Sequence, residues 1–207
     1  MIGIIDYGLG NISAFANIFK QLNIPFKQVK NINDFESVTK LILPGVGAFD
    51  YAMQLLNDSG MRNKLDHMVL NEKVPVLGVC VGMQIMADSS EEGVMPGLGW
   101  VPGSVRKIDI SKLNHKPTIP HMGWNQVHPK KDLDVFNGID YDQGFYFLHS
   151  YYFSASNEED ILAVANYAGD FSCAVHKDNI YGFQFHPEKS LLNGVTLLKN
   201  FANLQLC

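Results

Sequence analysis

Short apolar runs alternate with helix-spaced apolar positions through the first half of this chain, and that alternation predicts an α/β fold. Ile2–Ile5 reads as a buried strand. Behind it, Ile12, Phe15, Ile18, Phe19 and Leu22 recur at the spacing of an amphipathic helix, with Asn11 placed to cap it. Residues 26–30 and 40–43 read as the next strands, and 48–56 and 61–70 as the next helical segments. Residues 74–79 form a β-branched apolar run, a further buried strand, with a helix opening from Gly82. Strands and helices in alternation imply a mainly parallel sheet covered on both faces.

From Ser104 onward the pattern changes to strands, at 123–127, 145–153, 161–165 and 171–176. Lys177-Asp178-Asn179 reads as a hairpin loop before Tyr181. A last helix, about 194–204, is expected to carry Val195, Leu198 and Phe201 inward. No repeat, low-complexity segment or linker interrupts the chain, so residues 1–207 are expected to form one domain. The expected architecture is a mainly parallel central sheet flanked by helices, with additional strands in the C-terminal half.

One junction carries chemistry. In Gly78-Val79-Cys80-Val81-Gly82 an apolar strand stops at a cysteine bracketed by glycines. Cys80 thus sits on a sharp strand-to-helix turn of the nucleophile-elbow kind. A helix N-terminus there favours thiolate over thiol, and the Val81 N–H points toward any oxyanion formed. Cys173, in a strand-like run, and Cys207, the terminal residue, read as ordinary cysteines. A base is supplied by His186-Pro187-Glu188. Alternation puts Tyr181, Phe183 and Phe185 on one face of this segment and Gln184 and His186 on the other. Pro187 biases His186 toward an extended backbone, so Glu188 projects the same way and can orient the imidazole. Cys80, His186 and Glu188 are the nucleophile, base and orienter of an acyl-transfer enzyme.

These motifs resemble the class I (triad-type) glutamine amidotransferases over essentially the whole chain. Leu43-Pro44-Gly45-Val46-Gly47-Ala48-Phe49, Pro120-His121-Met122-Gly123-Trp124-Asn125 and Ser89-Ser90-Glu91-Glu92-Gly93 with Gly97-Leu98-Gly99-Trp100 resemble the branch of glutaminase subunits that serve imidazole glycerol phosphate synthases. The resemblance implies L-glutamine as substrate and no cofactor. Val81 and the loop residues Val46 and Gly47 would supply the oxyanion hole, in a loop whose peptide can flip on activation. Gly45, Gln84, His149, Ser150 and Tyr151 would hold the glutamine. Ammonia would pass to a cyclase subunit with a (β/α)8 barrel, in a heterodimer, with Asn11, Trp124 and Lys189 at the contact. Two positions depart from the pattern: Val81 stands where many relatives carry Leu, and Leu191-Leu192-Asn193 is less typical after the His-Pro-Glu motif.

Composition narrows the field further. A net charge of −5 argues against a general nucleic-acid binder, which would show a basic face. The seven histidines show no H-x-x-x-H spacing and no acidic cluster accompanies them, so no metal is expected. No apolar run is long enough to span a membrane and the start lacks a basic n-region, which reads as a cytoplasmic enzyme. Gly8-Leu9-Gly10-Asn11 suggests a dinucleotide loop but has Ser13 where the third glycine belongs, so it reads as a tight turn. Three rival readings stand beside the synthase subunit. The same glutaminase chemistry could serve sugar amidination in surface polysaccharide synthesis, since Asp6–Asn11 and Leu148–Phe153 suit either branch. The others are a peptidase acting on γ-glutamyl bonds and a degenerate, non-catalytic binding subunit. The last requires a lost triad residue, and all three are present.

Overall fold

The computed structural model describes residues 1–113 and 119–205; Cys207 and His115 lie outside the described residues. In chain order the strands are β1 (Ile2–Ile5), β2 (Phe26–Val29), β3 (Lys40–Gly45), β4 (Val76–Cys80), β5 (Ser89–Ser90), β6 (Gly103–Lys107) and β7 (His121–Asn125). They continue with β8 (His128–Pro129), β9 (Phe145–His149), β10 (Tyr151–Ala155), β11 (Ile161–Asn166), β12 (Asp170–Lys177) and β13 (Ile180–Phe183). The α-helices are α1 (Ile12–Gln21), α2 (Phe49–Asp58), α3 (Arg62–Asp66), α4 (Val81–Gln84) and α5 (Leu191–Asn203).

The main sheet runs β2-β1-β3-β4-β13-β12-β10-β6-β5. From β2 to β13 every neighbour is parallel, and β12 turns the sheet antiparallel. The parallel core explains the apolar runs: every residue of β1 and β4 is buried, so neither strand has a polar face to show. Asn11 caps α1 as expected, accepting from the Ala14 N–H at 3.3 Å, and Phe15 and Phe19 enter the core. β3 runs two residues past its expected end, across Pro44 to Gly45. Its pairing to β1 stops at Ile42, so Pro44 is not asked for an N–H on that side.

Four expected elements are corrected. The run 145–153 is two strands, because β9 pairs with β7 in a separate two-stranded sheet while β10 joins β6 and β12 in the main one. The break is at Ser150, where the His149 ring folds back to bond the Tyr151 carbonyl at 2.8 Å. The strand expected at 123–127 is His121–Asn125, set by register against β9. The helix expected over 61–70 leaves α-geometry after Asp66 for one wide π turn, His67–Asn71, which keeps Met68 and Val69 buried. Finally, α5 starts at Leu191, and Val195 is only half-buried. Its inner face is Gly194, Leu197, Leu198 and Phe201, phased by Gly194, where a Cβ would collide with the Pro187 carbonyl oxygen.

Candidate active site

The elbow forms because three glycines let backbones touch. A Cβ on Gly78 would lie 2.7 Å from the Gly82 carbonyl oxygen, and one on Gly82 would strike the Leu43 carbonyl oxygen of β3. A Cβ on Gly45 would lie 2.8 Å from the Val81 carbonyl carbon. Close packing of strand, turn and loop forces Cys80 to φ 55°, ψ −114°, a region that costs a non-glycine residue about 1–3 kcal/mol. The helix that follows is a single turn, Val81–Gln84. The strain puts the cysteine side chain at a cavity wall.

That cavity, of about 260 Å³, is lined by Val46, Gly47, Cys80, Val81, Gln84 and Glu92 on the elbow side. Pro120, Leu148, His149, Ser150, Tyr151, His186 and Lys189 close it. It falls just below the roughly 300–1,000 Å³ of most ligand cavities, and suits an amino acid better than a nucleotide. Among the described residues no His, Cys, Asp and Glu group could hold a metal ion, and no helix is long and apolar enough to cross a membrane.

The His186 ring is held by Glu188, whose Oε1 lies 2.8 Å from Nδ1, and the ring lines the same cavity as Cys80. Burial alone would strip the proton from this imidazole. The hydrogen bonds and negative charge of Cys80 and Glu188 outweigh burial and push His186 up to about 10. The Glu188 side chain is 3% exposed, and its Oε2 has no hydrogen-bond partner among the described residues. Its charge is therefore directed at the imidazole. The backbone beneath is fastened to β9: the His186 N–H donates to the Tyr146 carbonyl at 2.9 Å, and the Ser190 hydroxyl donates to the His186 carbonyl at 2.6 Å.

The other expected residues divide by position. Val46, Gly47, Val81, Gln84, His149, Ser150, Tyr151 and Lys189 all line the cavity. Gly45 does not, being packed beneath Val81 and Gly82. Gln84 spends its amide nitrogen inside the protein, on the Tyr151 carbonyl at 2.9 Å and Gln184 Oε1 at 3.0 Å, so only its oxygen is left for a ligand. The His149 ring likewise bonds the Tyr151 carbonyl and His121, which takes that carbonyl away from any ligand. Asn11 is exposed with its side chain spent on the cap, Trp124 is half-exposed against Tyr146, and Lys189 lies 5.8 Å over the Tyr146 ring. None of the residues expected at the contact is buried.

Sequence reasoning gave no role to Glu92, Leu148, Tyr7 or Gln184. Glu92 lines the cavity while its Oε2 accepts from the Phe49 N–H at 2.9 Å, capping α2. Tyr7 is buried against Pro44, and burial followed by the nearby Cys80 pushes its phenol above the usual range. Only Gln184 had left a trace in the sequence, since alternation places it on the same face as His186. Both faces of that segment are buried, with Gln184 as inaccessible as Phe183 and Phe185. Cys173 is buried in β12, which pushes its thiol up and keeps it unreactive.

Residues 3–204 match the family described as glutamine amidotransferase class-I. The chain belongs to that family. A class I amidotransferase relative from Bdellovibrio bacteriovorus, named imidazole glycerol phosphate synthase subunit HisH, is 55% identical over 204 residues, covering 99% of this chain and all of the relative. One of the same name from Leptospira borgpetersenii is 50% identical with the same coverage. A solved glutamine amidotransferase shares the amidotransferase fold, with a TM-score of 0.71 at 20% identity over 97% of this chain and 96% of that one.

Proposed function

We propose that this chain hydrolyses the side-chain amide of L-glutamine through a cysteinyl thioester and supplies the ammonia to a cyclase subunit for histidine biosynthesis. The observation that carries the chemistry is Cys80, strained on its elbow, at a cavity it shares with an imidazole whose Nδ1 lies 2.8 Å from the buried Glu188 carboxylate. The pathway rests on the full-length likeness to proteins named as synthase subunits.

The Cys80 thiolate attacks the glutamine amide carbon, and the carbonyl electrons move to oxygen. The Val81 N–H and the Val46–Gly47 loop receive that oxyanion. His186, already protonated, gives its proton to the departing nitrogen, so ammonia leaves and a γ-glutamyl thioester remains. The neutral imidazole then takes a proton from water, whose oxygen attacks the thioester and returns the thiolate and glutamate. Glu188 keeps its charge throughout and holds the tautomer. Gln84, His149, Ser150 and Tyr151, which line the cavity, hold the glutamine, and Gly45 holds the loop against the elbow.

The partner is a cyclase with a (β/α)8 barrel, docking in a cytoplasmic heterodimer through contacts that include Asn11, Trp124 and Lys189. The 207 residues act as one amidotransferase domain. Glutamate release by the chain alone and with such a cyclase and its nucleotide ligand tests this. Low basal turnover that rises with the liganded cyclase and vanishes in Cys80→Ala supports the reading. Turnover indifferent to that cyclase sends the ammonia to another acceptor, such as a sugar.

A further inference from the structure

Outside the triad, one buried polar network ends on the reacting sulfur. We propose that Gln184 is a further catalytic residue, whose side-chain amide donates to Cys80 and stabilises the thiolate. This rests on Cys80 being the nucleophile.

The direction of each hydrogen bond follows from the one partner that cannot change roles. The Tyr151 carbonyl only accepts. Gln84 must therefore present its amide nitrogen there, at 2.9 Å. That same nitrogen lies 3.0 Å from the Gln184 side chain and uses its second hydrogen on it. Gln184 must then offer its oxygen to Gln84, which turns its own nitrogen to Cys80, 3.8 Å from Sγ. The reversed amide would set two nitrogens against each other and an oxygen against the sulfur. Gln184 is wholly inaccessible, so no solvent stands in for either bond.

The Tyr151 carbonyl is in turn fixed from its other side. His149 Nδ1 lies 2.8 Å away and must donate, which leaves its Nε2 to accept from His121 Nδ1 at 2.9 Å. His121 Nε2 then accepts from the Asn125 amide at 3.2 Å. Every member of the chain from Asn125 to Gln184 has one consistent orientation, and it ends with a donor at the sulfur. Opposing it, the Leu148 carbonyl lies 3.9 Å from Sγ and accepts from the thiol. His186 and Tyr7 are the titratable groups that sense the charge on Cys80. Gln184 is the neutral donor that tilts the balance toward thiolate.

The test is the pH dependence of Cys80 alkylation by iodoacetamide in the full chain, read as mass added to the peptide that carries it. Gln184→Met keeps the volume and removes the donor. Gln184→Leu also removes the donor, with a different apolar shape. A lost hydrogen bond of this kind is expected to move the midpoint up by about half to one pH unit in Gln184→Met and to lower kcat about three- to tenfold. The same shift is expected in Gln184→Leu, which carries the test by itself if the methionine variant does not fold. A midpoint unchanged in either folded variant overturns the proposal, because a residue that only fills space leaves it in place. Glutamate release that survives Cys80→Ala would instead defeat the reading of the site, whatever Gln184 does.

Discussion

Tyr7 and Pro44 tie the first loop to the end of β3: the phenol donates to the Pro44 carbonyl at 2.8 Å, in a buried position. Gly10 lies against the same proline, where a Cβ would come within 2.5 Å of Pro44 Cβ. Pro44 and Gly45 are thus held on one side by the first loop and on the other by the elbow. Val46 and Gly47, next along, are free: Val46 is 41% exposed and nothing stands within 4 Å of a Cβ at Gly47. The peptide proposed to meet the oxyanion thus lies in the least packed part of this loop. Tyr7→Phe leaves a buried carbonyl without its donor and is expected to cost about 1–3 kcal/mol of stability, read by urea unfolding, together with a lower kcat.

The loop glycines should respond in opposite ways. Gly82→Ala drives a methyl into the Leu43 carbonyl oxygen and is expected to destabilise by several kcal/mol and abolish turnover. Gly47→Ala meets no atom and bears only the strain of φ +89°, about 1–2 kcal/mol. Thermal melts of the two variants check the contrast, and equal losses would contradict it.

Glu188→Gln keeps the shape of the orienting group and removes its charge. By analogy with orienter substitutions in other triads, kcat is expected to fall by about 10²–10⁴. Because Glu188 helps hold the His186 proton, the pH above which activity declines should also fall. Steady-state glutamate release across pH measures both effects.

The buried pair His121 and His149 makes the fold sensitive to acid. Burial pushes His121 down to about 4, and burial with the charge of His121 pushes His149 down to about 3. Unfolded, each titrates near 6.5. Below that pH the unfolded chain takes up protons the folded one refuses, so stability falls as pH drops from about 6.5 toward 4, by up to about 1.4 kcal/mol per pH unit for each histidine. His186, raised to about 10, has the opposite sign: its contribution is whole below about 6.5 and is lost as pH rises through 10. Urea unfolding between pH 7.5 and 5 measures the acid side, and a flat profile would contradict it.

What was legible in the sequence was local. The elbow is a run of five residues whose glycines announce a turn, and His186 and Glu188 are two apart in the sequence; their contact is made through the 3-10 turn Pro187–Lys189, however, and not along the extended segment that the alternation implied. β1, β3 and β4 were legible because burial on both faces leaves an unbroken apolar run. The rest depends on distant segments meeting. Tyr7 reaches Pro44 across 37 residues and Gln84 reaches Gln184 across 100, and no spacing rule links either pair. The break at Ser150 was hidden because the aromatic alternation of β9 runs on into β10, while the change of sheet is decided by β7 and β6. His149 and Tyr151 line the cavity, with the His149 ring and the Tyr151 carbonyl turned to each other, a detail that lies in the tertiary contact.

The most direct test of the account is to mix the chain with glutamine, quench in acid within the first turnover and weigh its peptides. A γ-glutamyl group on the peptide that carries Cys80, lost on treatment with hydroxylamine and missing from Cys80→Ser, is the expected result. Glutamate released at full rate by Cys80→Ser, with no such adduct on the wild-type chain, would contradict it.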